Sequence, residues 1–187
     1  MKTIYFDFFG VISTPAYMTV VKEGLPESEW ESWLHRLDLL DEGKTTEEDL
    51  ITELVEQLGT SSIDTWERIK QAPRLNDRLL EYIERTLAPW YHLGLLTNAT
   101  RSLIDRILGE KIRLFPLEVV SAEIGLIKPD PRIFVHAITQ ANVPAQEILF
   151  IDDNPKNVTV AQDCGMQGIV YTGFNQFVTD VIQFRPS

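Results

Sequence analysis

Cysteine is nearly absent. The lone Cys164 excludes an intramolecular disulfide and any cysteine-based metal cluster, and fits a reducing cytosol. Histidine is scarce: His35, His92 and His136 are scattered, and none has a partner at metal-ligand spacing. Long apolar runs are missing too. No window approaches the roughly 18 to 20 apolar residues of a membrane span, and Ile4 to Phe9 is followed by no signal-peptide pattern. A cytoplasmic protein without a membrane partner is expected. Positive charge is short as well, 17 Lys and Arg against 28 Asp and Glu, for a net charge of −11 and a pI near 4.7. Such a field repels polyphosphate chains and anionic lipid, so nucleic acid is not an expected partner. With 10 Gly, 10 Pro, 44% hydrophobic and 24% charged residues, the 187-residue chain is neither disordered nor fibrous. It is long enough for one domain, or a core with a modest insertion.

The first element, Thr3 to Phe9, is continuously apolar except for Asp7, and Gly10 breaks it. That pattern suits a buried parallel strand. From Pro15 to Arg74 helical periodicity takes over. Trp30, Trp33, Leu34 and Leu37 share a helical face, and Thr46 to Asp49 resembles an N-cap before a helix that Gly59 stops. Ile63, Trp66 and Ile69 suggest another short helix. After Pro73 strands and helices alternate, the sign of a parallel α/β sheet. Strands are expected at 91–96, 117–121, 148–151 and 169–171, and helices at 79–87, 101–108, 131–141, 156–164 and 176–184. The pattern implies a Rossmann-like, doubly wound parallel sheet with a small helical subdomain.

Three strands end in polar residues, at Asp7, at Thr97-Asn98 and at Asp152-Asp153. Ligands of open parallel sheets bind outside the carboxyl ends of the strands, so these residues are expected to converge. One such Asp is readily an ordinary helix cap. Three ends together, with Lys128 in the loop Gly125 to Pro131, point to a site instead. Carboxylates from separate strands suit Mg²⁺ and a covalent aspartate in phosphoryl transfer, with a hydroxyl and a Lys on the equatorial oxygens.

The ordered set resembles the haloacid dehalogenase-like hydrolase superfamily, in the branch with a helical cap inserted after the first strand. The carriers are Phe6-Asp7-Phe8-Phe9-Gly10-Val11-Ile12, Leu95-Leu96-Thr97-Asn98, Lys128-Pro129, and Phe150-Ile151-Asp152-Asp153-Asn154-Pro155-Lys156-Asn157 with Ala161 and Gly165. The fourth motif and the Lys-Pro loop look similar to the sugar-1-phosphatase-like branch. The resemblance implies a core of residues 1–13 and 76–187 and a cap of residues 14–75. It implies Asp7 as nucleophile, Thr97 and Asn98 as hydrogen-bond donors to the phosphoryl group or substrate, and Lys128 as charge stabiliser. Mg²⁺ would be held by Asp7, Asp152, Asp153 and the backbone carbonyl of Phe9. The implied partner is a small phosphorylated metabolite.

One position departs from the family. A second Asp usually stands two residues after the nucleophile, and here that residue is Phe9. Phe cannot move a proton, and losing a positioned general acid or base costs roughly 10²- to 10⁴-fold in rate. Three readings follow: a phosphatase for substrates with good leaving groups, a degenerate protein that binds a phosphorylated ligand or a partner, and a 2-haloacid dehalogenase. Against the last stands Asp152-Asp153, which a metal-free dehalogenase does not need. Other residues read more plainly. Trp30 and Trp33 are expected in the cap core, His35 as a solvated or packed helix residue, Cys164 as a buried small hydrophobe, and Asp41 to Asp49 as solvated. Glu123 or Asp130 is a candidate to orient Lys128 or replace the missing base.

Overall fold

The computed structural model describes residues 1–184. Five parallel strands form one sheet: β1 (Thr3–Phe6), β2 (His92–Thr97), β3 (Leu117–Val120), β4 (Ile148–Asp152) and β5 (Gln167–Val170), in the order β3-β2-β1-β4-β5. Strands β1, β2 and β4 are buried on both faces, which is why they read as continuous apolar runs. Alternate side chains go to opposite sides. Ile4, Phe6, Leu95 and Ile151 enter one core, and Tyr5, Leu96 and Phe150 enter another. The first core is covered by α5 (Asp77–Tyr82), α6 (Arg101–Leu108) and α10 (Phe174–Val181); α8 (Pro131–Ala141) and α9 (Pro155–Asp163) cover the second. The chain moves outward from β1 through β2 to β3, then returns beside β1 as β4. That reversal makes a crevice between the ends of β1 and β4.

Helices α1 (Tyr17–Gly24), α2 (Trp30–Asp41), α3 (Glu47–Leu58) and α4 (Ser62–Gln71) surround a third cluster that includes Trp33, Leu50 and Leu54. Trp33 is fully buried and its indole N–H donates to Gln57 Oε1 at 2.8 Å. As expected, Thr46 and Asp49 form a reciprocal capping box on α3, and Gly59 ends it in the left-handed conformation at φ 63°. The chain enters and leaves this layer side by side. Thr14 N–H donates to Arg74 O at 3.1 Å, Arg74 N–H to Thr14 Oγ1 at 2.8 Å, and Asn76 N–H to Ile12 O at 2.8 Å. The helical layer also touches the sheet layer through Leu103 of α6 and through Phe9, whose ring packs against both clusters.

The expected elements are present with ends shifted by one to three residues. The helix expected at 79–87 starts at Asp77 and passes into a π-type turn over Ile83–Leu87. The terminal helix starts earlier, at Phe174, and ends at Val181 rather than Phe184. A four-residue helix, α7 (Ser121–Ile124), follows β3. Among the described residues no helix is long and apolar enough to cross a membrane.

Candidate active site

Asp7 is the first residue past β1, held by its N–H donating to Ile151 O at 2.8 Å. Its Oδ1 accepts from Phe8 N–H at 2.6 Å and from Lys128 Nζ at 2.8 Å. Among the described residues no hydrogen bond reaches Oδ2. Asp152 ends β4, and its Oδ2 accepts from the same Nζ at 2.7 Å and from Asn157 Nδ2 at 3.0 Å. Asp152 Oδ1 accepts from Asn154 N–H at 2.8 Å. The Lys128 ammonium thus spans the carboxylates of two neighbouring strands, with a side chain 1% exposed.

Asn98 explains how Lys128 is aimed. Its Oδ1 accepts from Lys128 N–H at 2.8 Å and its Nδ2 donates to Lys128 O at 3.0 Å, a two-point clamp between the end of β2 and the Lys128 loop. Thr97, one residue earlier, is fully buried, and its Oγ1 has no hydrogen-bond partner among the described residues. A buried, unpaired hydroxyl is costly unless a ligand completes it. Asp153 stands over Gly10, which adopts φ +88°. One carboxylate oxygen each from Asp7, Asp152 and Asp153 lies within 4.8 Å of the others.

The electrostatics are strained toward negative charge. Burial pushes Asp7 up to about 7; Asp152 adds to the shift, while Lys128 and the Phe8 N–H oppose it. Asp153 is also raised, by burial and then by Asp152. For Lys128, burial works against the charge, yet Asp7 and Asp152 outweigh it and hold the ammonium above its ordinary value. Three carboxylates thus meet one buried ammonium. Hard oxygen donors in this excess fit a hard divalent cation such as Mg²⁺.

Other sequence expectations fare unevenly. Glu123 pairs with Arg101, and Asp130 caps α8 and pairs with Arg132, so both carboxylates already have partners. His92 and His136 are exposed on the sheet layer. Cys164 is half-buried rather than buried, with its thiol toward Pro131 O at 3.8 Å. The Asp41–Asp49 run is not uniformly solvated. Glu47 is buried and accepts from Tyr17 Oη at 2.8 Å, Arg106 at 3.0 Å, Thr100 Oγ1 at 3.0 Å and Ser102 Oγ. Asp41, at the end of α2, is raised to about 8 by burial first, then by Asp38 and Asp7, against the relief of Lys128. A sequence signal existed for Glu47: it shares the helical stripe of Leu50, Ile51 and Leu54.

A doubly wound sheet with carboxylates and a lysine at the β1–β4 crevice defines an α/β enzyme core. The haloacid dehalogenase-like hydrolase family matches residues 1–165, and the chain belongs to that family. It is 28% identical to D-ribitol-5-phosphate phosphatase of Bacteroides thetaiotaomicron, over 89% of this chain and 90% of that protein. The fold is shared with a predicted HAD-like family hydrolase from Porphyromonas gingivalis, at TM-score 0.77 and 25% identity over 100% and 99% of the two chains. It is shared too with a HAD family enzyme of B. thetaiotaomicron in complex with magnesium and inorganic phosphate, at TM-score 0.68 and 23% identity over 90% and 93%. Two other matches are local: 41% of this chain against 15% of a drimenol cyclase from Aspergillus calidoustus, and 41% of this chain against 32% of a phosphoserine phosphatase from Thermus thermophilus.

Proposed function

We propose that the protein is a Mg²⁺-dependent, cytoplasmic phosphatase of a small phosphorylated metabolite, acting through a phospho-Asp7 intermediate. The observation that carries this reading is the buried ammonium of Lys128 shared by Asp7 and Asp152, with Asp7 Oδ2 unpartnered among the described residues. Asp7, Asp152, Asp153 and the backbone carbonyl of Phe9 would hold Mg²⁺, which would supply charge neutralisation for the phosphoryl oxygens. A carboxylate oxygen of Asp7 donates its lone pair to phosphorus as the bond to the leaving oxygen breaks. Water then attacks the same phosphorus, the bond to Asp7 breaks, and phosphate leaves. Lys128 and the unspent hydroxyl of Thr97 hold the equatorial oxygens, where transition-state charge gathers. Asn98 serves chiefly by fixing Lys128.

In this reading residues 1–13 and 76–187 form the catalytic core, residues 185–187 lying outside the described range, and residues 14–75 form a cap that keeps water from the reacting group. Phe9 sets the limit on the chemistry. With no acid at that position, the leaving oxygen departs without a proton, so rate depends steeply on its pKa. Phe9 also favours a second reading, a protein that binds a phosphorylated ligand without turnover. The two are separated by a phosphate-ester panel assayed with and without Mg²⁺. Release of phosphate that requires Mg²⁺ and disappears in Asp7→Asn is the expected result; tight phosphate binding with no release from any ester supports the second reading.

A further inference from the structure

Leu34, Leu37, Asp38 and Asp41 recur at intervals of three and four and form one stripe of α2. The stripe faces a cavity of about 140 Å³ whose other walls include Phe9, Met18 and Leu103. A cavity of about 150 Å³ has room for one benzene, so this volume suits a single aromatic ring, with the rim open to solvent at Leu34 and Asp38. Phe9 links the cavity to the loop that carries the nucleophile. Phe9 follows Asp7 by two positions, and Asp41 on the cavity wall feels the charges of Asp7 and Lys128.

Its polar chemistry is one-sided. Burial raises both Asp38 and Asp41, and neither owes any part of its shift to a hydrogen bond. The Tyr17 hydroxyl, on the same wall, donates to Glu47. A polyol would find polar partners only at Asp38 and Asp41 and would set its remaining hydroxyls against Phe9, Met18, Leu37 and Leu103, and a carboxylate-bearing group would meet two acids. An apolar ring needs neither accommodation.

We propose that this cavity receives the leaving group and that the substrates are phosphate monoesters of small phenolic or heteroaromatic alcohols without negative charge on the ring. The inference rests on the phosphatase reading and explains Phe9 within it. A phenolate takes the bonding pair when its oxygen–phosphorus bond breaks, and with a conjugate-acid pKa of about 10 it leaves without a protein proton. Solvent protonates it afterwards. Phe9 supplies an aromatic face for the ring, where rings pair at centroid distances of about 4.5–7 Å.

Phosphonates test the cavity on the wild-type protein, because their carbon–phosphorus bond is not cleaved. Titrations with Mg²⁺ present compare benzylphosphonate, methylphosphonate and 3,4-dihydroxybutylphosphonate. Benzylphosphonate is expected to bind at least 10-fold more tightly than the other two, and that preference is expected to fall at least 5-fold in Leu37→Asn and in Met18→Gln. Equal affinities, a preference for the dihydroxy compound, or a benzyl preference untouched in both variants overturns the cavity assignment. If wild-type protein releases phosphate from esters without that preference, only the cavity inference fails. A benzyl preference without hydrolysis of any ester, phenyl phosphate included, removes the phosphatase reading and leaves the cavity as a binding site.

Discussion

The carboxylate of Asp153 rests against the bare Cα of Gly10: a Cβ built there would lie 2.3 Å from Asp153 Cγ and 2.3 Å from its Oδ2. Gly10 is therefore needed for space as well as for its φ of +88°. In Gly10→Ala the acid has to move, and a residue outside its preferred backbone region costs about 1–3 kcal/mol. Mg²⁺ affinity is expected to weaken by about 10- to 100-fold, as it does when support around metal ligands is lost. Calorimetric titration of Mg²⁺ checks this, and an unchanged affinity would show that Asp153 is not a ligand.

Thr97 separates function from stability. Its Oγ1 is buried without a partner among the described residues, so Thr97→Val removes a hydroxyl that the described fold does not use. Stability is expected to hold or rise by about 1 kcal/mol. Turnover is expected to fall by about 10²-fold, the scale of losing one donor to transition-state charge. A large loss of stability in denaturant titration would place an unseen structural partner at Oγ1.

Removing Lys128 strands two buried acids. Lys128→Met is expected to cost about 3–5 kcal/mol in the metal-free protein, because one member of a buried ion pair is gone. Added Mg²⁺ is expected to restore part of that loss, since binding to the folded state alone stabilises it by mass action. Unfolding curves with and without Mg²⁺ read both effects, and a variant as stable as wild type without the ion contradicts the charge assignment.

Glu47 ties the helical layer to the sheet layer. Burial alone would raise its carboxyl, but hydrogen bonds from Ser102 and Tyr17 and the Arg106 guanidinium hold it below its ordinary value. A depressed folded pKa adds stability that is full above the unfolded value, about 4.3, and is lost as pH falls through the folded value. Glu47→Gln is therefore expected to cost about 1–3 kcal/mol at pH 7 and to flatten the acid side of the stability–pH curve. Equal acid slopes in the two proteins would assign that slope to other groups.

The sheet and most of the site were legible because their signals are local. Asp7 and Asp152 interrupt runs that are otherwise wholly apolar, and Lys128 stands in a Gly- and Pro-marked loop between elements. Glu47 was not legible as a tie, because Ser102 and Arg106 lie 55 and 59 residues away in the chain. Asp41 shares a helical stripe with Leu34 and Leu37, but only the folded arrangement brings it into the field of Asp7 and Lys128. For Asn98 the position was readable and the clamp on Lys128 was not, since a strand end does not say which loop its side chain meets.

Phe9 touches the clusters of both layers, and its ring lies 4.9 Å from that of Phe8. Replacing it with Asp would set a carboxylate among side chains from two cores at once. Restoring proton transfer at this position therefore asks for polar partners in both layers, not for the one substitution alone.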